Sequence, residues 1–117
     1  MRRPRETNRV VIQKMIGYCE SIENIIIKFG NTFEAFNTDF TFQMACSACI
    51  IQIGELTTHL TDAFKNHHKE IAWRQIKELR NIHAHDYESV RFDVMWEILT
   101  TNIPELKKSL QKILEVM

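Results

Sequence analysis

The sequence predicts an all-α protein, an antiparallel up-and-down bundle of four to five helices. Three observations predict it. Only three Gly and two Pro punctuate 117 residues, which favours long helices joined by short connections. Apolar residues recur at helical spacing along several stretches. Nothing alternates with period two over a useful length, so strands have no signal. A chain of this length reads as a single domain over residues 1–117, long enough to bury a core yet only marginally stable alone.

The first helix is expected from about Glu6 to Phe29, with Val11, Met15, Tyr18, Ile22, Ile25 and Phe29 forming one apolar stripe. Gly30-Asn31 ends it. Asn31 to Thr38 reads as a connecting stretch, with Phe33 and Phe36 tucked onto the bundle. The second helix is expected from Asp39, an N-cap, to Leu60. Phe42, Ala45, Cys46, Cys49, Ile50, Ile53, Leu56 and Leu60 make it apolar around much of its circumference, which suits a central position. A third helix covers about Glu70 to His83, with Ala72, Trp73, Ile76 and Leu79 inward. A fourth covers Phe92 to Thr101, and a fifth starts near Pro104, a residue tolerated in a first turn.

Charge excludes little. Lys+Arg and Asp+Glu both number 15, so the net charge is zero and gives no bulk signal for nucleic acid. A local cluster, Arg2, Arg3, Arg5 and Arg9, reads either as a solvated helix start or as an RNA contact. No apolar run approaches the ~18 residues needed to span a bilayer. Glu6, Thr7 and Asn8 interrupt any secretory core after the basic start. The expectation is a cytoplasmic protein with no membrane partner, and three cysteines, which cannot all pair within one chain, suit a reducing compartment. Cys46-x2-Cys49 has the spacing of a zinc or redox pair but lies inside an apolar helical run with no second such pair, so buried free thiols are expected and no metal or cofactor. His67-His68 with Lys65 and Lys69 reads as a solvated loop or a small RNA-contacting patch. Neither a Walker loop nor a G-x-G-x-x-G is present.

The chemistry is concentrated in Arg80-Asn81-Ile82-His83-Ala84-His85-Asp86-Tyr87. Arginine holds phosphate with a planar, bidentate fork. Histidine titrates near neutral pH. Together they are a minimal kit for cutting a phosphodiester without a metal, the imidazole moving protons and the guanidinium stabilising charge on the phosphorus oxygens.

These residues carry a resemblance. Arg80, four residues, His85, one residue and Tyr87 resemble the R-x4-H-x-Y motif of the HepT-like branch of the HEPN superfamily. The run Ala45 to Glu55, ending Ile53-Gly54-Glu55, resembles its second-helix segment, and Ile71-Ala72-Trp73 its lead into the motif helix. The resemblance spans roughly residues 9–116. It implies an all-α homodimer, a metal-independent RNase toxin acting on an RNA substrate, and a small nucleotidyltransferase as antitoxin partner. Within it, Arg80 and His85 are the catalytic pair, and Tyr87 is the acceptor of adenylate from the partner. An alternative is a non-catalytic helical module that presents substrate or nucleotide to the nucleotidyltransferase.

Helix geometry pulls another way. At about 100° per residue, Arg80 and His85 lie about 140° apart, whereas Arg80, His83 and Tyr87 share one stripe. Periodicity therefore pairs Arg80 with His83, and the resemblance pairs it with His85. Both hold if the helix loosens near His85 or if a two-fold dimer assembles the site. The other readings stay open. His83 is an RNA contact or an exposed helix residue. Asn81 is a phosphate donor, a support for His85 or a helix cap. Glu55 is a partner for a motif cation or a surface carboxylate.

Overall fold

The computed structural model describes the backbone from Pro4 and the side chains from Thr7 to Met117. Of the amino-terminal arginine cluster, the side chains of Arg2, Arg3 and Arg5 lie outside the described residues, and Arg9 is exposed. The described chain is helical, with no strand.

Helix α1 (Pro4–Phe29) buries Val11, Ile12, Met15, Ile16, Cys19, Ile22 and Ile26. The predicted stripe is displaced: Tyr18, Ile25 and Phe29 are only half-buried. The cause is that α1 packs on two other helices, so two adjoining faces are covered rather than one. Gly30 closes the helix at φ 115°, where its N–H reaches Ile26 O at 3.0 Å. A side chain there would be strained, as expected for a glycine after a helix end.

The stretch read as a connection contains a helix, α2 (Phe33–Thr38). Thr32 caps it, its Oγ1 accepting from Ala35 N–H at 3.1 Å. Six residues cannot sustain a helix alone. Tertiary contacts stabilise it: Phe36 is wholly buried, while Gln43 Nε2 donates to Phe36 O at 2.9 Å and Asn37 O at 3.2 Å. Those bonds satisfy carbonyls that a helix end leaves open. Phe33, expected on the bundle, is 39% exposed.

Helix α3 (Phe40–Thr57) follows the predicted N-cap, Asp39 Oδ1 accepting from Phe42 N–H at 3.1 Å. It is the central helix, packed on α1 on one side and α5 on the other. Helix α4 (Asp62–His67) was not expected. Thr61 caps it, and the buried Asn8 of α1 bonds Thr61 through both amide atoms at 3.2 Å. Trp73 Nε1 donates to Lys65 O and His68 O, at 3.2 and 3.0 Å, pinning the turn that leads into α5 (Trp73–His85).

A 3-10 turn, Tyr87–Ser89, leads to α6 (Phe92–Glu97), a π-helical turn (Ile98–Asn102) and α7 (Ile103–Glu115). The two helices expected here are one continuous rod. The π-helical turn, in which Ile103 N–H reaches Ile98 O, admits Pro104 without breaking the rod, because a widened turn tolerates a residue that lacks an N–H. Lys107 ties α7 to α1 through Glu23 at 2.7 Å and Glu20 at 3.9 Å. Four rods and two short capped helices therefore form the bundle.

At one end, aromatic rings lock together. Phe42 stacks on Phe29 at 5.3 Å and meets Phe36 edge-on at 5.1 Å. Phe36 also meets Trp96 at 5.3 Å and Phe92 at 5.9 Å. Tyr87 joins through Phe92 at 6.3 Å, and His83 through Tyr87 at 5.9 Å. Each such pair contributes roughly 0.5–1.5 kcal/mol beyond its area.

Candidate active site

The motif sits where α5 crosses α3 most closely. A Cβ built on Gly54 would fall on Arg80 Cβ, 2.7 Å from Arg80 Cγ and 3.3 Å from Ile76 O. Only glycine admits Arg80 at that crossing. The guanidinium then lies along the seam. It forms an ion pair with Glu55, whose side chain is 39% exposed against 26% for Arg80, and Arg80 Nη1 donates to Asn81 Oδ1 at 2.8 Å. Arg80 Nε is buried and has no hydrogen-bond partner. Asn81 is itself exposed, and its amide oxygen is spent on Arg80 rather than on a helix end or on His85.

Helix α5 does not loosen inside the motif. It runs regularly to His85, and Asp86 N–H closes it on Ile82 O at 2.9 Å. His85, its last residue, is exposed and makes no side-chain hydrogen bond among the described residues. Within one chain Arg80 and His85 are not brought together. The structure instead places Arg80 and His83 on the inward face of α5, as helix periodicity requires, and Tyr87, beyond the helix end, packs its ring on His83.

His83 is not the exposed residue of the bland reading. It is 5% exposed, and its Nδ1 lies 2.7 Å from the hydroxyl of the buried Ser47 on α3. Burial pushes its pKa down to about 4, so the imidazole is neutral at physiological pH and unsuited to proton donation. Ser47 is a residue that sequence reasoning missed. Its one signal was a polar position, one helical turn from Gln43, in an otherwise apolar helix.

Tyr87 packs its ring against His83 and Phe92, and its hydroxyl is buried without a hydrogen-bond partner. Burial, and secondarily the neighbouring Cys46, push its pKa upward. Asp86 Oδ2 accepts from Ser89 Oγ at 2.6 Å and staples the 3-10 turn that carries Tyr87.

The weaker constellations resolve simply. Cys19, Cys46 and Cys49 are buried free thiols; burial pushes Cys19 and Cys46 up to about 12 and raises Cys49. Among the described residues, no three His, Cys, Asp or Glu side chains gather as metal ligands would. The His67-His68 stretch is the end and C-cap of α4 rather than a loop, with the His68 ring tilted against Phe64 at 4.6 Å and 3.5 Å from Glu70. Among the described residues no helix is long and apolar enough to cross a membrane.

Fold and site together define a class: a small all-α bundle that presents an arginine in a helix seam and a free imidazole at the helix end. The chain belongs to the ribonuclease HepT-like family, which it matches over residues 15–113. It is 28% identical over 110 residues to a protein of Caldanaerobacter subterraneus subsp. tengcongensis that carries an RNase designation, covering 94% of this chain and 96% of that one. It is 33% identical over 81 residues to a protein of Thermococcus cleftensis named as a probable ribonuclease HepT, covering 69% of this chain and 74% of that one. A Methanocaldococcus jannaschii protein with an RNase designation is 29% identical over 98 residues, 80% of this chain and 81% of its own. No solved structure matches. The family makes the chain an enzyme of the ribonuclease class.

Proposed function

We propose that the protein is a metal-independent endoribonuclease toxin, working as a homodimer and silenced by nucleotide transfer from an antitoxin partner. Arg80 and His85 are the catalytic residues, Asn81 a support for Arg80, and His83 a wall of the site. The observation that carries this reading is the separation of functions along one helix end. Arg80 is pre-aimed in the seam, and His85 is exposed and free to meet a substrate.

In the proposed reaction, His85 takes the proton of a ribose 2′-OH, the oxygen attacks the adjacent phosphorus, and the bond to the 5′-oxygen breaks as that oxygen takes a proton from water. The products are a 2′,3′-cyclic phosphate and a 5′-OH. Arg80 stabilises the charge that builds on the non-bridging oxygens. Because the two residues occupy different faces of α5, a second copy facing the first across a two-fold axis is the economical way to place an imidazole beside each Arg80. Apolar side chains left exposed on this monomer away from the motif, Ile27 and Phe40, support such a pairing.

Silencing requires more. The buried Tyr87 hydroxyl must swing out before it can attack the α-phosphorus of ATP and release pyrophosphate, and the short Tyr87–Ser89 turn is the segment that would move. The added phosphodiester would then compete with RNA for Arg80. The ion pair of Arg80 with Glu55 favours one second reading, a non-catalytic partner of a nucleotidyltransferase, since the guanidinium is already engaged.

The test is RNA cleavage by pure protein in EDTA. Arg80→Ala and His85→Ala should each be inactive alone, and mixed subunits of the two should regain part of the activity if the site is shared. Cleavage that needs added metal, or full activity in both variants, overturns the reading.

A further inference from the structure

The bond between Ser47 and His83 fixes more than a contact. Ser47 is buried, and its hydroxyl makes no other hydrogen bond among the described residues. If Nδ1 carried the ring proton and donated to Ser47, the serine hydrogen would be buried with nothing to accept it, which costs about 1–3 kcal/mol. The favourable arrangement is the reverse: Ser47 O–H donates to a bare Nδ1, and the ring proton sits on Nε2. His83 is thus held neutral, with its only donor on the edge turned away from α3. No group among the described residues accepts from that donor.

His83 also forms part of the wall of a cleft of about 170 Å³ between α5 and α6. Its other walls are largely apolar, Leu79, Ile82, Val94 and Met95 among them, and Ser89 and Arg91 add polar side chains. This is room for one ring system rather than for a large ligand. Its place matters: Arg80 precedes His83 by three residues on the same helix stripe, a separation of about 5–6 Å between Cβ atoms. That is the reach from the phosphate of a nucleotide to its own base.

Resting on the ribonuclease reading above, we infer that this cleft is a nucleobase subsite, in which His83 Nε2–H donates to an acceptor on a base whose phosphate lies at Arg80. The apolar part of the wall takes the ring, and the fixed His83 donor selects among bases by the acceptors they present, since the other polar side chains of the lining are engaged, Arg91 with Asp93 and Ser89 with Asp86. Ser47 is a positioning residue that acts through the His83 tautomer.

The test compares cleavage of short RNAs that vary only in the base next to the scissile phosphate, using dimeric wild type, Ser47→Ala, His83→Gln and His83→Phe. Gln offers an Nε2–H in place of the imidazole donor, and Phe offers none. Wild type should prefer some bases; His83→Phe should lose about three- to tenfold of that preference, the worth of one neutral hydrogen bond, while His83→Gln keeps most of it. Binding of the same oligonucleotides, each with a non-cleavable 2′-deoxy linkage, should follow the same order, and a nitrogen-15 spectrum of the free protein should show His83 protonated on Nε2. If wild type binds these RNAs selectively but cuts none, the ribonuclease reading fails and the subsite stands. Base preference in His83→Phe equal to wild type overturns the subsite, as does a His83 proton on Nδ1. A His83→Phe change that weakens dimerisation alone would make the cleft a seat for the second copy instead.

Discussion

Gly54→Ala and Gly17→Ala are the same substitution in two helices, and the structure gives them opposite signs. In a helix interior, alanine is worth roughly 0.5–1 kcal/mol more than glycine. At Gly17, in α1, an added Cβ meets nothing within 4 Å, so the full gain should appear. At Gly54 the Cβ would sit on Arg80 Cβ and 2.7 Å from Cγ. Ordinary carbon contacts lie at about 3.5–4.0 Å, so α3 and α5 must part by well over ~1 Å. These are atoms next to the backbone, which cannot rotate away. Overpacking of this kind costs about 1–3 kcal/mol, more than the helix gains. The Ser47–His83 bond and the Arg80–Glu55 pair cross the same seam and would loosen with it. Urea denaturation followed by circular dichroism should show Gly17→Ala with a higher midpoint than wild type and Gly54→Ala with a lower one. The expected loss at Gly54 is about 1–2 kcal/mol, roughly 4–8 °C in Tm at about 2.1 cal/mol/K of unfolding entropy per residue. A Gly54→Ala protein as stable as Gly17→Ala would refute the close approach on which the site's geometry rests.

Three further outcomes are expected. His83 has a folded pKa of about 4 against an ordinary 6.5, so between those values the unfolded chain binds more protons; stability should be constant above pH 6.5 and fall by up to about 3 kcal/mol as pH drops towards 4, and denaturation of His83→Phe across the same range should lack that component. Tyr87→Phe removes a buried hydroxyl that has no partner, so its stability to urea should match or exceed wild type by up to about 1 kcal/mol, and mass spectrometry after incubation with the proposed nucleotidyltransferase partner and ATP should find no added AMP. Glu55→Gln leaves Arg80 unneutralised; the half-exposed pair contributes at most about 1 kcal/mol to stability, whereas titration of a labelled RNA should show tighter binding, with a steeper dependence on salt.

Much of the fold was legible because the helical repeat was strong where burial was one-sided. Asp39, Gly30 and the apolar circumference of α3 read correctly, since capping and centrality both leave local marks. What could not be read was decided elsewhere in the chain. Helix α2 exists because Gln43 and the aromatic rings hold it, and its own sequence contains only a weak cap at Thr32. Pro104 signalled a new helix, and the π-helical turn before it absorbed the break instead. In the site, Glu55 was open between a motif cation and the surface, and the structure pairs it with Arg80. His83 was misjudged as exposed because α5 is short and polar, and the partner that buries it, Ser47, is 36 residues away. His85, which the motif pairs with Arg80, stands apart from it within one chain because α5 continues unbroken to His85.

The aromatic end of the bundle also gives the protein an optical reporter. The chain has two tryptophans. Trp73 is bonded into the α4–α5 turn, whereas Trp96 packs on Phe36 and Phe42. Phe36 touches Phe92, which touches Tyr87. A movement that carries Tyr87 into solvent must therefore disturb the ring packing two contacts from Trp96. In a Trp73→Phe protein, the remaining indole emission would follow events at Tyr87 in real time, with no label attached.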